Sequence, residues 1–108
     1  MRKITNELIQ NFKAYLINEE KSSSTWEKYI RDITVFMEWC KETELSKSVV
    51  LEYKQDIVEK YAPASVNSIL SSLNSFFVYN EWYDLKVKAL KIQRQIFASK
   101  NKELTKAE

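Results

Sequence analysis

The sequence predicts an all-α protein, a compact four-helix bundle trailed by a basic C-terminal segment. Three observations carry that expectation. Apolar residues recur at i, i+3 and i+4 through four stretches that end near residue 81. Ser or Thr heads the first three of them, where a short side-chain oxygen can accept from an orphan backbone N–H. Pro63, the sole proline, falls at the join between the third and the fourth.

The first helix is capped by Thr5 and runs to about Glu19, with Ile4, Leu8, Phe12, Tyr15 and Leu16 as its apolar stripe. Glu20-Lys-Ser-Ser-Ser24 breaks it, because serines favour turns and caps. The second helix carries the clearest start: Ser24-Thr-Trp-Glu27 fits a capping box, with Ser24 at the cap and Glu27 reaching back. Trp26, Tyr29, Ile30, Ile33, Phe36, Met37 and Cys40 form its inward face, and Lys28, Arg31, Val35 and Glu38 lie opposite. Glu42 to Lys47 is a polar connector. A third helix follows, capped by Ser46 or Ser48, with Val50, Tyr53 and Ile57 inward and Tyr61 extending the stripe. The fourth begins near Ala64 and ends around Asn80; with no glycine in the chain, Asn is the expected left-handed cap.

The fourth helix is the most informative stretch. Val66, Ile69, Leu70, Leu73, Phe76 and Phe77 share one face, whereas Ser65, Asn67, Ser68, Ser71, Ser72, Asn74 and Ser75 take the other. A solvated helix face is ordinarily built from Glu, Lys, Arg and Gln; Ser and Asn lower helix propensity by competing for backbone hydrogen bonds. Short neutral side chains let a polyanion or another backbone approach closely. The face reads as a contact surface.

Composition bounds the function. The 108 residues suit a single domain, and 44% hydrophobic and 13% aromatic residues suffice for a packed core. No apolar run approaches the roughly 20 residues needed to span a bilayer, so no membrane association is expected. The N-terminus lacks the apolar segment of a signal peptide, and the single cysteine, Cys40, suits a reducing cytoplasm and reads as a small core residue. Histidine is absent, which removes the commonest general base and metal ligand together. Without His, and with one Cys, a zinc site is not credible; without Gly, neither is a phosphate-cradling loop. The expectation is a chain with no cofactor, no metal and no catalysis of its own.

The net charge of +2 conceals an asymmetry. Residues 85–108 carry seven basic and two acidic side chains, a balance of +5, which leaves ten basic and thirteen acidic, −3, in residues 1–84. Lys86 and Lys88 open this basic segment, which reads either as a solvated tail or as a strand that runs along nucleic acid. The domain boundary is expected at residue 84. The last residues end on Thr105 and Glu108, spaced to cap a helix the chain does not contain, and this reads as a module boundary.

Lys21-Ser-Ser-Ser-Thr25-Trp-Glu-Lys-Tyr29, followed by Ile33, Phe36 and Trp39-Cys40, makes one frame. Ala64-Ser-Val66-Asn67 leading to Leu70, Leu73, Phe76-Phe77 and Tyr79 makes another. In this order and spacing they resemble the N-terminal core-binding domain of the tyrosine recombinases, the phage-integrase family with a SAM-like helical fold, over about residues 4 to 84. The ending Leu104-Thr-Lys-Ala-Glu108 resembles the family's entry into its catalytic domain, which would make residues 85–103 an interdomain linker. Many members carry an Asn-Pro pair after the fourth helix, where Trp82-Tyr83-Asp84-Leu85 has none, and many place a basic residue where Asn74 stands.

The resemblance implies a domain that clamps double-stranded DNA together with a C-terminal catalytic domain and other recombinase protomers, leaving strand cleavage to the catalytic half. It also implies that the second and fourth helices face the major groove. Carried onto this chain, the DNA-contact candidates are Ser24, Thr25, Lys28 and Arg31 on the second helix and Ser65, Asn67, Ser68, Ser71 and Ser72 on the fourth, with Lys86 and Lys88 beyond. Hydroxyls and helix N-termini donate to phosphates, cations supply charge, and an Asn amide can reach a base edge. Replacing Lys28 or Arg31 is expected to weaken binding without unfolding the domain. Two other classes remain open: a helical protein–protein module using Trp39, Tyr79, Trp82 and Tyr83, and a helix-turn-helix regulator, which fits less well because no strongly basic recognition helix follows Pro63.

Overall fold

The computed structural model describes residues 2–41 and 43–91. Four helices form: α1 (Asn6–Asn18), α2 (Ser23–Cys40), α3 (Lys47–Lys60) and α4 (Pro63–Tyr79), followed by one 3-10 turn (Tyr83–Leu85) and an extended segment. There is no strand among the described residues. The fold is all-α. Helix α4 is the centre of the bundle, packed on α2 and α3, while α1 lies against α2.

The caps follow from short oxygens placed where the first-turn N–H groups have no partner. Thr5 accepts from Leu8 N and Ser46 from Val49 N. Helix α2 begins two residues before the expected start: its cap is Ser22, which accepts from Thr25 N at 3.3 Å, and Ser24 sits inside the first turn. Ser22 also donates to the Thr25 hydroxyl at 2.9 Å, so a hydroxyl cluster stands in place of the Ser24–Glu27 box. Helix α4 has Ala62 at its cap with no side-chain bond; Pro63 opens the helix instead, its fixed φ preset and its missing N–H among those that would be orphaned anyway.

Without glycine, helix ends place long charged residues in the left-handed region: Glu20 at φ 62° and Glu81 at φ 61°. Behind them Lys21 N donates to Leu16 O and Trp82 N to Phe77 O, which closes α1 and α4. Asn80, expected to take that conformation, stays at φ −89° because its side-chain amide donates back to Phe76 O at 2.9 Å.

The core joins all four helices. Phe12 meets Phe76 edge-on at 5.3 Å, and Phe36 meets Tyr53 at 4.7 Å and Phe77 at 6.3 Å. Each such ring, fully buried, contributes about 1.5–3 kcal/mol relative to leaving it exposed. Ile9 is buried on α1, whereas Tyr15, expected inward, is 42% exposed; Tyr61 is likewise half exposed rather than part of the α3 stripe. Cys40 is buried, and that burial raises its thiol pKa, as fits a packing role. No helix among the described residues is long and apolar enough to cross a membrane.

The chain does not leave the bundle at Asp84. Leu85 and Val87 are buried in the same core while Lys86 and Lys88 stay exposed, the period-two alternation of an extended chain on a surface. Expectations placed on residues 92–108, including the rest of the linker and the Thr105–Glu108 cap, lie outside the described residues.

Candidate nucleic-acid interface

Helix α4 carries two polar edges, and the structure treats them differently. On the α2 side, position 72 falls between Ile69 and Phe76 at helical spacing, so its hydroxyl is carried into the contact with α2 and is fully buried. A buried hydroxyl requires partners. Ser72 Oγ donates to Asp32 Oδ2 at 2.7 Å and accepts from Lys28 Nζ at 3.1 Å. Lys28 Nζ also reaches Asp32 Oδ2 at 2.5 Å and Ser68 O at 3.1 Å. All three ammonium protons therefore have acceptors inside the protein.

This corrects two expectations. Ser72 is not on an outer face, and Lys28 is not a solvated cation opposite the core; it is a half-buried cross-link between α2 and α4, neutralised by Asp32 one turn along. Arg31 differs. It is exposed and makes no ion pair or hydrogen bond with the described residues. Its side chain lines a groove of ≈ 370 Å³ with Lys28 and Val35 of α2, Ser65 and Ser68 of α4, and Tyr61. Four of the candidates, Lys28 and Arg31 of α2 and Ser65 and Ser68 of α4, thus meet in one open depression, and Ser24, Thr25, Asn67, Ser71 and Ser72 are not among its lining.

On its other edge, α4 presents Asn67, Ser71, Asn74 and Ser75 to a larger groove of ≈ 820 Å³ whose lining includes Lys21, Tyr29, Lys86 and Ala89. The asparagines are engaged. Asn74 Nδ2 donates to Val87 O at 2.8 Å while its Oδ1 accepts from Val87 N at 3.0 Å. Asn67 does the same for Leu90, at 3.1 Å and 2.6 Å. The Asn67 amide, expected to reach a base edge, is thus spent on the chain's own backbone. Lys86 and Lys88 side chains remain exposed on this strap. Ser24, Thr25 and Lys21 lie at the head of α2, where Ser24 is exposed and Thr25 is half-buried against Ser22.

The hydroxyls Ser65, Ser68, Ser71 and Ser75 are accordingly a ridge between two grooves, one holding Arg31 and the other Lys21 and Lys86. Among the described residues no carboxylate lines the second groove, and the one that lines the first, Asp32, is already paired. The ridge is polar, uncharged and flanked by positive charge.

A family model, the phage integrase N-terminal SAM-like domain, matches residues 9–83. The chain belongs to that family. No match was found among curated proteins or among solved structures.

In this integrase SAM-like domain the match runs from Ile9 within α1 to Tyr83 at the start of the 3-10 turn, so α2 and α4, the two helices that bring Arg31, Ser65 and Ser68 to the first groove, fall wholly within it. The family is a non-catalytic N-terminal region of integrases. The tyrosines are distributed as packing and rim residues: Tyr53 is buried and its phenol pushed up to about 12, chiefly by that burial, while Tyr61 and Tyr83 are exposed. No group of His, Cys, Asp and Glu among the described residues is placed to hold a metal ion. Trp82 packs on the core, 6.0 Å from Phe76, whereas Trp39 is 37% exposed and touches the rings of Phe36 and Tyr53 at 6.3 and 5.0 Å from the rim.

Residue-level reading missed Asp32, Lys47 and Lys54. Asp32 stands four residues after Lys28, the spacing of a helix ion pair. Lys47 and Lys54 donate to strap carbonyls, Lys86 O and Lys88 O respectively, the latter at 2.6 Å. A seven-residue spacing shared by Lys47/Lys54 and Asn67/Asn74, two turns in each helix, was the signal for them.

Proposed function

We propose that the chain is the DNA-binding, core-binding part of a site-specific tyrosine recombinase, holding one side of a duplex while a catalytic domain elsewhere in the protein cuts and joins strands. The observation that carries this reading is the groove shared by Arg31 of α2 and Ser65 and Ser68 of α4, within the stretch that matches the integrase family. Arg31 supplies an unpaired guanidinium able to bond a phosphate or a guanine edge. Ser65 stands in the first turn of α4, where backbone N–H groups point outward and favour a phosphate. Lys86 and Lys88 extend the positive rim along the strap. The partners of this reading are double-stranded DNA, the catalytic domain of the same protein and other recombinase protomers on the DNA, in the cytoplasm.

Binding by this piece alone is weak in this account. Four cations, Arg31, Lys21, Lys86 and Lys88, serve the ridge, so the log–log salt slope is about −3.6, at roughly −0.9 per phosphate neutralised. Affinity for arbitrary duplex is on the order of micromolar or poorer at physiological salt. Titration of a labelled duplex at several salt concentrations tests this. A salt-independent isotherm contradicts it.

A further inference from the structure

The strap from Lys86 to Leu90 is gripped by its main chain from two helices. On one side Asn74 and Asn67 of α4 each present a side-chain amide, donor and acceptor together, to the N–H and C=O of a single residue, Val87 and then Leu90. Each makes the two-bond ring that a neighbouring strand makes with a hydrogen-bonded residue of its partner. On the other side, Lys47 and Lys54 of α3 donate to Lys86 O and Lys88 O. The spacing explains the fit. Seven residues of helix rise about 10.5 Å, and three residues of extended chain cover about 10 Å, so two asparagines two turns apart meet residues 87 and 90 in register.

The grip reads backbone, not side chains. With Val87 inward and its amide held, Lys86 and Lys88 are forced outward along the edge of α4, and Lys86 lines the same groove as Ser71 and Ser75. We propose that Asn67 and Asn74 are positioning residues: they dock the strap so that Lys86 and Lys88 stand as a fixed second basic rim beside the hydroxyl ridge, opposite Arg31. This rests on the duplex-binding reading above and assigns to the asparagines a role other than DNA contact.

The test uses the full 108-residue chain, a labelled duplex and amide hydrogen exchange. In Asn67→Ala/Asn74→Ala, protection at the Val87 and Leu90 amides is lost, binding weakens several-fold, and the salt slope shortens by roughly 1.8, the share of two phosphates. Lys86→Ala/Lys88→Ala shortens the slope equally with that protection intact. A loss of folded protein alone lowers the bound fraction without changing the slope, so the slope separates positioning from folding. Protection lost with slope and affinity unchanged or improved overturns the proposal, as does protection retained without the asparagines. An unaltered chain that shows no salt-dependent binding overturns the duplex reading and takes the proposal with it, and that result is visible before any variant is made.

Discussion

The two edges of α4 use similar short polar residues to opposite ends. On the α2 edge, Ser72 and the Ser68 carbonyl close a side-chain network with Lys28 and Asp32; both charges are consumed inside the protein, and what is gained is a fixed contact between helices. On the strap edge, Asn67 and Asn74 are neutral, they hold backbone, and the nearby Lys86 and Lys88 keep their charges outside. A cation on a polar face is therefore no guide to function until its acceptors are counted. Lys28 has three acceptors within the fold, and Arg31, one residue triplet along the same helix, has none among the described residues.

That contrast can be broken at each edge. The largest effect is expected from Asp32→Ala, which leaves the half-buried Lys28 ammonium and the buried Ser72 hydroxyl short of their shared acceptor. A loss of about 2–3 kcal/mol in urea unfolding is expected, the range for a broken, partly buried charge-assisted network. A loss below about 0.5 kcal/mol would show that water takes over and that the network is only a surface pair. Asn74→Ala comes next, at about 1 kcal/mol, because its two bonds go to strap backbone that solvent can partly replace. Its signature is local: exchange speeds up at Val87 far more than at the amides of α2.

Arg31→Ala should leave unfolding free energy within about 0.5 kcal/mol, as for an exposed residue without partners. The same change should shorten the salt slope of duplex binding by roughly 0.9. Lys28→Ala is the contrary case, costing stability. If Arg31→Ala unfolds the domain and Lys28→Ala does not, the assignment of the two cations is reversed.

The smallest effect concerns the ion pair that ties the N-terminal segment to the 3-10 turn. Arg2 donates to both Asp84 oxygens, at 2.7 and 2.9 Å, and these bonds hold the Asp84 carboxyl below its usual range. A depressed folded pKa means that the stabilisation is present above the unfolded value, near 3.9, and disappears as pH falls through the folded one. Thermal unfolding of Asp84→Asn should thus fall slightly below that of the unaltered chain at neutral pH, and the two should converge in strong acid. The pair is solvent-exposed, so added salt should shrink the difference as well.

The architecture was legible because helix periodicity and capping are local. Val50, Tyr53 and Ile57 on α3 and Val66, Leu70, Leu73, Phe76 and Phe77 on α4 are buried as their spacing requires. Ser46 caps α3, one of two residues the spacing allowed. The site was legible only in part. Sorting residues into polar and apolar halves put Ser72 outside, although its spacing from Ile69 and Phe76 carries it inward. Which serine caps α2 was not legible because Ser22, Ser23 and Ser24 are chemically equivalent, and the cap is Ser22. The strap was read as linker because Leu85 and Val87 alternate with lysines, a pattern whose meaning depends on a surface 13 to 23 residues back in sequence, at Asn74 and Asn67. Pairings at that separation leave no local trace beyond a shared seven-residue spacing.

The most direct test of the hydroxyl ridge as a duplex interface is backbone amide shift mapping by NMR as a short duplex is added to the 108-residue chain. The account predicts the largest perturbations at Arg31, Ser65, Ser68, Ser71 and Ser75, followed by Lys86 and Lys88. Perturbations confined to Trp82 and Tyr83, or none along α4, would contradict it.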